Sequence, residues 1–206
     1  MITMNDEKGM WIAIDGCECS GKTTLVTRVK NSYPDIVLVP EFSKTSLGIW
    51  LENEVVSKPY FVTNSSMASA LLFLSDYFEM QKQIVIPALE DGKIVISDRG
   101  FLSKVAVQYA MLEGEFGKEA EDFLKKIFAF SLRPHLSIVL DNQESVIYER
   151  IVKRSGSCDQ ERLEMNKRTN ELLRYFAQEF ELPHKCLPFD DAEFELRELI
   201  EFFKRG

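Results

Sequence analysis

The stretch Trp11-Ile-Ala-Ile-Asp-Gly16-Cys-Glu-Cys-Ser-Gly21-Lys22-Thr23-Thr24 decides the fold class of this chain. It opens with an apolar run at residues 11–14, which is typical of a strand buried on both faces. Gly16 to Thr23 then match the pattern GxxxxGK[ST], and a helical pattern covers residues 22–31. A strand, a glycine-rich turn and a helix in this order predict a phosphate-binding loop, or P-loop.

Each residue type in this loop has a physical reason. Gly16 and Gly21 let the backbone curl so that successive N–H groups point at phosphate oxygens, and the following helix adds its positive end. Lys22 can reach the β- and γ-phosphates, and the Thr23 hydroxyl can ligate Mg²⁺. We therefore expect ATP and Mg²⁺ to bind here, with ATP held by Gly16, Cys17, Glu18, Cys19, Ser20, Gly21, Lys22, Thr23 and Thr24.

The rest of the chain alternates short β-branched runs with longer helical patterns, which indicates βα units around a parallel sheet. Strands are predicted at residues 11–14, 36–39, 94–97, 136–140 and 186–188, and helices at residues 22–31, 66–90, 102–113, 119–130, 144–154, 161–179 and 193–204. We expect an α/β chain with the three-layer P-loop NTPase fold: a five-stranded parallel sheet, helices on both faces and a small lid. Because no repeat or linker interrupts it, we expect residues 1–206 to form a single domain.

The composition excludes several classes of protein. The 206 residues carry a net charge of −8, so the basic footprint of a protein that binds bulk nucleic acid is missing. No apolar run approaches the roughly 20 residues needed to cross a bilayer, and residues 1–9 lack the apolar stretch of a secretory signal. We expect a cytoplasmic protein with small-molecule ligands, no nucleic acid and no membrane partner. Without a CxxC pair, Cys17, Cys19, Cys158 and Cys186 are expected to be reduced thiols.

A second signature, Asp98-Arg99, follows the predicted strand at residues 94–97. It lies at the carboxyl end of that strand, where open α/β sheets bind their ligands. A carboxylate there can engage Mg²⁺ or the acceptor, and the guanidinium can grip a phosphate with two nitrogens. Taken alone, the dipeptide is also compatible with a surface ion pair.

A P-loop by itself does not identify a kinase, because GTPases and motor ATPases share it. A GTPase should also carry an NKxD-type motif that reads the guanine base. The nearest match, Asn166-Lys167-Arg168-Thr169, lacks the aspartate and lies in a polar helical pattern. The sequence therefore argues against a GTPase.

Together these motifs resemble the thymidylate kinase family of P-loop nucleoside monophosphate kinases. The run Ile96-Ser-Asp-Arg-Gly-Phe-Leu-Ser-Lys-Val-Ala-Val-Gln108 is similar to the family's strand, DR[YFH] and SxxAxQ pattern. Leu71-Leu-Phe-Leu-Ser-Asp-Tyr77 and Ile86-Pro-Ala-Leu89 resemble its LLFxADR…IxPAL segment, and Pro40-Glu41 its Pro/Glu element. Glu149-Arg150-Ile-Val-Lys-Arg154 and Glu161-Arg162-Leu-Glu164 resemble its lid, expected at about residues 150–165. The resemblance runs from residue 11 to about residue 177.

The resemblance implies a role for each matching residue in catalysis. Lys22, Asp98, Arg99 and Arg162 are the implied catalytic residues, and Thr23 and Asp98 the implied ligands of Mg²⁺. Arg150 and Arg154 are expected to bind ATP from the lid. The P-loop has no arginine, so the lid arginine Arg162 is expected to close over the transferring phosphoryl group.

The acceptor is expected to bind at about residues 40–80 and along the helix after Arg99. Glu18 would face the deoxyribose 3′-hydroxyl, Phe73 would stack on the base, and Arg99 would bind the acceptor phosphate. The full implied acceptor set is Glu18, Glu41, Lys44, Phe73, Tyr77, Arg99, Ser103, Lys104, Val107 and Gln108. The implied reaction is the ATP-dependent phosphorylation of dTMP to dTDP, in an enzyme that the family pattern suggests is a homodimer.

The departures from the family pattern cluster on the acceptor side. Tyr77 stands where the family has an arginine that reads the thymine carbonyl, and Val107 replaces a bulkier residue of the pocket. Lys44 is the only basic residue close to Glu41 in the chain, and Lys104 could reach a base carbonyl. These changes predict relaxed base specificity. Two alternatives stay open: a deoxynucleoside kinase with Glu41 as base, and a catalytically silent nucleotide-binding module.

Overall fold

The structure, a computed structural model, describes residues 8–57 and 62–205. Its sheet has five parallel strands in the order β2-β3-β1-β4-β5. The strands are β1 (Met10–Asp15), β2 (Val37–Val39), β3 (Ile94–Asp98), β4 (Leu136–Leu140) and β5 (His184–Leu187). The helices are α1 (Lys22–Ser32), α2 (Ser46–Ser57), α3 (Ser66–Met80), α4 (Ile86–Glu90), α5 (Phe101–Phe128), α6 (Glu144–Ser155), α7 (Gln160–Glu179) and α8 (Phe189–Arg205). The predicted five-stranded parallel α/β fold is confirmed.

Helices cover both faces of the sheet, and the strands supply alternate residues to the two faces. Trp11 and Val139 pack with α3, α5 and α7 in one hydrophobic cluster. Ile12, Ile14 and Ile138 point the other way and pack with α1 and α8. The central strands are therefore apolar throughout, which explains why continuous hydrophobic runs predicted them correctly. In the described part of the chain, no helix is both long and apolar enough to span a membrane.

Three helical regions differ from the prediction. The helix predicted at residues 66–90 is interrupted by a π-helical turn, Gln81–Val85, between α3 and α4. The two helices predicted at 102–113 and 119–130 are one element, α5, with a break at Gly117. Helix α2 was not predicted, although Leu47, Leu51 and Val55 recur at helical spacing and face one cluster. Residues 58–61, which belong to the predicted acceptor region, lie outside the described part of the chain.

The two signatures meet at the carboxyl edge of the sheet, because β1 and β3 are neighbours and Ile14 pairs with Asp98. The buried carboxylate of Asp15 accepts the Gly100 N–H at 2.9 Å and the Ser103 N–H at 2.8 Å, which caps α5 from the end of β1. The Ser103 hydroxyl in turn accepts the Gly16 N–H at 3.2 Å. These bonds lock the P-loop to the start of α5.

Candidate active site

The P-loop is folded around the Lys22 side chain, whose Nζ donates to the Cys17 carbonyl at 2.6 Å and the Ser20 hydroxyl at 3.3 Å. Burial lowers the pKa of Lys22 to about 8, an effect that the nearby charge of Arg99 reinforces. Gly21 has φ +108°, and a Cβ there would lie 3.0 Å from the Phe189 ring, so glycine is required. The predicted phosphate loop is therefore formed, with its lysine in place.

A cleft of about 500 Å³ opens beside this loop. Its walls bring together the predicted residues Glu18, Cys19, Gly21, Lys22, Thr23, Thr24, Glu41, Arg99, Arg150 and Arg154. Arg150 Nη1 holds the loop from the lid side, donating to the Cys19 carbonyl at 3.2 Å and the Ser20 carbonyl at 3.1 Å. The ATP-side residues of the lid and the P-loop thus converge on one cavity.

Three residues that line the cleft were not predicted: Arg28, Phe189 and Asp190. The Arg28 guanidinium carbon lies 5.1 Å from the Phe189 ring centroid, a cation–π distance. Phe189 and Asp190 begin α8 directly after β5, at the same carboxyl edge as the other site residues. That topology could have identified them, since parallel strands place their following loops on one side.

Thr23 and Asp98 form a pair of oxygen donors at the base of the cleft. The Thr23 hydroxyl donates to Asp98 Oδ2 at 2.5 Å, while the buried Asp98 Oδ1 accepts no hydrogen bond from the described residues. Hydroxyl and carboxylate oxygens are ligands that suit Mg²⁺, which commonly takes one or two protein groups together with phosphates. Within residues 8–57 and 62–205, no cluster of three or more His, Cys, Asp or Glu side chains is arranged for a metal. The donor set therefore fits Mg²⁺ that arrives with a nucleotide.

On the acceptor side, Arg99 and Glu41 form an ion pair with Nε 2.6 Å from Oε1. Arg99 has a left-handed backbone, with φ +70°, and its Nη1 donates to the Gly16 carbonyl at 3.0 Å. Although burial favours a higher value, Arg99, Lys104 and Lys22 together hold the pKa of Glu41 below its ordinary value. Glu41 is thus an ionised counter-ion for the cations around it.

The lid is docked on the P-loop through Glu18. Arg162 Nε donates to Glu18 Oε2 at 2.9 Å, and its Nη2 bonds the other carboxylate oxygen. Asp159 caps α7 by accepting the Arg162 N–H at 2.8 Å, which fixes the start of that helix. Although burial favours a higher value, Arg162 lowers the pKa of Glu18.

Asn166, one turn after Arg162, was missed as a site residue. Its side chain is buried, and its Oδ1 accepts the Glu18 N–H at 2.8 Å. Its Nδ2 donates to the Arg162 carbonyl at 3.0 Å and to Glu18 Oε2 at 3.4 Å. In the sequence, Asn166 is marked only by its spacing of one helical turn from Arg162, which is a weak signal.

Two predicted acceptor residues lie in one hydrophobic cluster, and their role in acceptor binding stays a prediction. Phe73 and Val107 pack in the cluster that joins α2, α3 and α5. Phe42 joins them, with its ring centroid 6.3 Å from that of Phe73. The base region therefore has aromatic and aliphatic walls.

Tyr77 was predicted to face the acceptor, and this is wrong. The side chain is fully buried in the main core, where its ring centroid lies 5.9 Å from that of Phe128. Tyr77 is one turn beyond Phe73 on α3. There its ring packs against Phe128 at the C-terminal end of α5 and does not line the cleft. An uncharged aromatic ring is stable there, whereas the family's arginine would not be.

Two other acceptor predictions also need correction. Ser103 is fully buried and holds Gly16, so its hydroxyl supports the P-loop instead of an acceptor. Gln108 is buried on α5, where its Oε1 has no hydrogen-bond partner among the described residues, and its acceptor role stays a prediction. Lys44 is exposed and outside the cleft, whereas Lys104 donates to the Glu41 carbonyl at 2.8 Å. The lysine in contact with the Glu41 segment is therefore Lys104 and not Lys44.

This fold and this cleft define a P-loop protein of the nucleotide kinase type. The thymidylate kinase family model matches residues 14–193, and the chain belongs to that family. A probable thymidylate kinase of Methanocorpusculum labreanum is 31% identical over 199 residues, 96% of each chain. One of Pyrococcus abyssi is 36% identical over 141 residues, so that the match spans 65% of each chain. The family resemblance predicted from the motifs is confirmed.

A solved structure supports the fold. The crystal structure of thymidylate kinase from Ehrlichia chaffeensis superimposes with a TM-score of 0.66 and 20% identity. The likeness covers 93% of this chain and 98% of the other. At this level of identity, the comparison shows that the two chains share the P-loop kinase fold.

Proposed function

We propose that this chain transfers the γ-phosphoryl group of ATP to a deoxynucleoside monophosphate, with dTMP accepted and dTDP formed. The observation that carries the proposal is the cleft in which Lys22 and Thr23 face Arg99 and Glu41. The P-loop side suits a triphosphate, and the Arg99 side suits a phosphorylated acceptor. Family membership supports ATP as donor and dTMP as acceptor.

On the ATP side, transfer depends on positioning and charge neutralisation and requires no covalent intermediate with the enzyme. Lys22 neutralises the β- and γ-phosphates, and Arg150 and Arg154 cover them from the lid. Thr23 and Asp98 would hold Mg²⁺, which when bound would screen the phosphate charge. Closure of the lid then excludes water that would otherwise hydrolyse ATP.

Arg162 acts through an exchange of partners. In the structure its guanidinium is held by Glu18, the carboxylate that family resemblance assigns to the deoxyribose 3′-hydroxyl. When the acceptor sugar engages Glu18, Arg162 is released toward the transferring phosphoryl group, where it stabilises the developing charge. The closed catalytic arrangement then forms only when an acceptor is present.

A deoxynucleoside kinase is the second candidate, since Glu41 could serve as a base on a 5′-hydroxyl. Its pKa is lowered and it is ion-paired with Arg99 at 2.6 Å, so it is a weak base with an occupied carboxylate. An arginine at this position suits a phosphate far better than a neutral hydroxyl. These contacts favour a phosphorylated acceptor.

Base specificity follows from the walls around the base. Phe42, Phe73 and Val107 offer stacking and shape, and Tyr77, buried in the core, does not replace the family's thymine-reading arginine. Stacking and shape discriminate weakly compared with hydrogen bonds to a base edge. We expect dTMP to be accepted, with dUMP or another pyrimidine monophosphate within about tenfold in kcat/KM.

The test is ATP turnover with dTMP, dUMP, dCMP, UMP, dGMP and thymidine under one set of conditions. The proposal predicts diphosphate products from the pyrimidine deoxynucleotides and little product from thymidine. Preferential phosphorylation of thymidine would support the nucleoside kinase instead. A preference for dTMP of a thousandfold or more over every other acceptor would overturn the relaxed specificity but not the reaction.

Two expectations from the sequence remain proposals beside this one. Family resemblance suggests a homodimer, which light scattering after size-exclusion chromatography tests. Composition suggests a cytoplasmic location, which cell fractionation tests.

A further inference from the structure

Glu41 lines the cleft and is surrounded by three largely buried cations: Arg99 and Lys22, which also line the cleft, and Lys104, which does not. Arg99 Nε lies 2.6 Å from Glu41 Oε1, and Lys104 Nζ donates to the Glu41 main-chain carbonyl at 2.8 Å. Lys22 and Lys104 are only 5% and 6% exposed. Lys104 also lies 5.3 Å from the Phe42 ring centroid, so its ammonium is held between the loop and the ring. Like charges gathered in a buried site need a shared anion.

Glu41 is the carboxylate that these cations share. Asp98 accepts from Thr23, and Asp76 accepts from Ser43, so both of those carboxylates already serve another group. Of the three carboxylates Glu41, Asp98 and Asp76, Glu41 is the one that lines the cleft. Burial lowers the pKa of Lys104, Glu41 opposes that shift, and Arg99 adds to it.

The loop that carries Glu41 is fixed by Asp76 on α3. Asp76 Oδ2 accepts the Ser43 N–H at 3.0 Å, and its Oδ1 accepts the Ser43 hydroxyl. A Cβ at Gly48 would lie 2.6 Å from Asp76 Oδ1, so only glycine permits this close approach. With Ser43 anchored, Glu41 faces the cations while Lys44 is exposed.

We infer that Lys104 is the second cationic ligand of the acceptor's phosphate group, acting with Arg99, and that Glu41 is the internal anion whose place the phosphate takes. This inference rests on the proposed function, because it assumes a phosphorylated acceptor. Arg99 supplies two nitrogens to the phosphate, and Lys104 supplies a compact point charge. The Lys104 ammonium has three N–H donors, and its hydrogen bond to the Glu41 carbonyl uses one of them.

This role differs from the one expected from the sequence, which placed Lys104 on a base carbonyl and Lys44 on the phosphate. The ammonium lies at Glu41, the partner of Arg99, which puts it on the phosphate side of the acceptor site. A ligand of the phosphate contributes to the binding of a nucleotide but not of its nucleoside. A reader of the base contributes equally to both.

The experiment measures binding of dTMP and of thymidine to the full chain by calorimetry, in wild type, K104M, K104R and K44M. K104M removes a buried charge that contacts the Glu41 carbonyl, and K44M removes an exposed charge three residues after Glu41, so the two form a matched pair. We expect K104M to weaken dTMP binding about tenfold or more and thymidine binding less than about twofold, since a charged hydrogen bond is lost only for dTMP. K104R should retain most of the dTMP affinity, and K44M should match wild type.

Unchanged ATP binding and thermal unfolding show that a variant is folded, and K104Q replaces K104M if that variant does not fold. Equal weakening of dTMP and thymidine would make Lys104 a base reader and overturn the inference. Loss of dTMP affinity in K44M but not in K104M would restore Lys44 and also overturn it. If wild type binds dTMP while K104M binds it equally well, the inference fails and the proposed function stands. If wild type binds no dTMP, both fail.

Discussion

The Arg162 guanidinium on α7 grips both carboxylate oxygens of Glu18 in the P-loop, with Nε 2.9 Å from Oε2. The pair joins the lid to the phosphate loop, and both side chains are largely buried. Two parallel N–H···O bonds between a guanidinium and a carboxylate are strong and geometrically specific. The contact thus joins the lid arginine that we propose acts in catalysis to the residue that family resemblance assigns to the acceptor sugar.

Replacement of Arg162 should impair the chemical step. We expect R162A to lower kcat by about 10²–10³ with the acceptor KM little changed, because a charge that acts in the transition state is removed. Steady-state kinetics with dTMP at saturating ATP provide the measurement. If KM rose while kcat held, Arg162 would instead be an acceptor ligand.

Replacement of Arg99 should impair acceptor binding. We expect R99A to raise the acceptor KM by about tenfold to a hundredfold, the effect of losing a charged hydrogen bond of about 1.5–3 kcal/mol. The KM for ATP should change much less, since R99A removes one bond to the Gly16 carbonyl but leaves Lys22 and Thr23 in place. The same kinetic series measures both constants, and an effect confined to ATP would show that the donor and acceptor roles are exchanged.

Asn166 should matter for stability because it satisfies a buried N–H of the P-loop. N166A leaves the Glu18 N–H without its acceptor at 2.8 Å, so we expect the free energy of unfolding to fall by about 1–3 kcal/mol. Asn170, one turn further along α7, is half-buried, and its side chain makes no hydrogen bond to any of the described residues. N170A is therefore the control, with an expected change within about 0.5 kcal/mol in urea unfolding. Equal effects of the two substitutions would contradict this role.

The Glu18–Arg162 pair should stabilise the protein in a pH-dependent way. The pKa of Glu18 is lowered from its ordinary value of 4.5, so its contribution is complete above that value and is lost as pH falls through the lowered pKa. We expect wild type to be more stable than E18Q near neutral pH, with the gap closing as the pH falls below 4.5 and through the lowered pKa of Glu18. Urea unfolding of both proteins across this range provides the test. A gap that stays constant with pH would mean that the pair contributes nothing through its charge.

Much of the fold could be predicted from local patterns. The central strands are apolar on both faces, and a P-loop between a strand and a helix fixes the start of the sheet. The break at Gly117 falls between the two helices predicted there, whereas the π-helical turn at Gln81–Val85 could not be predicted, because helical spacing continues across it. Helix α2 was missed because apolar residues outside its buried stripe, such as the exposed Ile49 and Trp50, obscure the helical spacing.

The ATP side of the site was predictable because the motif is contiguous, so each side chain has a fixed place on one loop. The acceptor side depends on contacts between distant segments. Lys104 meets Glu41 across 63 positions of sequence, and Asn166 meets Glu18 across 148. Tyr77 was misplaced because its spacing from Phe73 shows that the two residues share a helix face. The spacing does not show which element packs against that face at each turn of the helix.

We propose that Lys22 holds the donor and Arg99 the acceptor for direct phosphoryl transfer. The formation of dTDP from ATP and dTMP is the most direct test of this proposal. We expect wild type to form dTDP, observed by phosphorus NMR, and K22A to lose about 10²–10³ in rate while keeping its fold. The folded state of K22A is checked by its thermal unfolding. Wild type that forms no dTDP, or a folded K22A that forms it at a near-normal rate, would contradict the account.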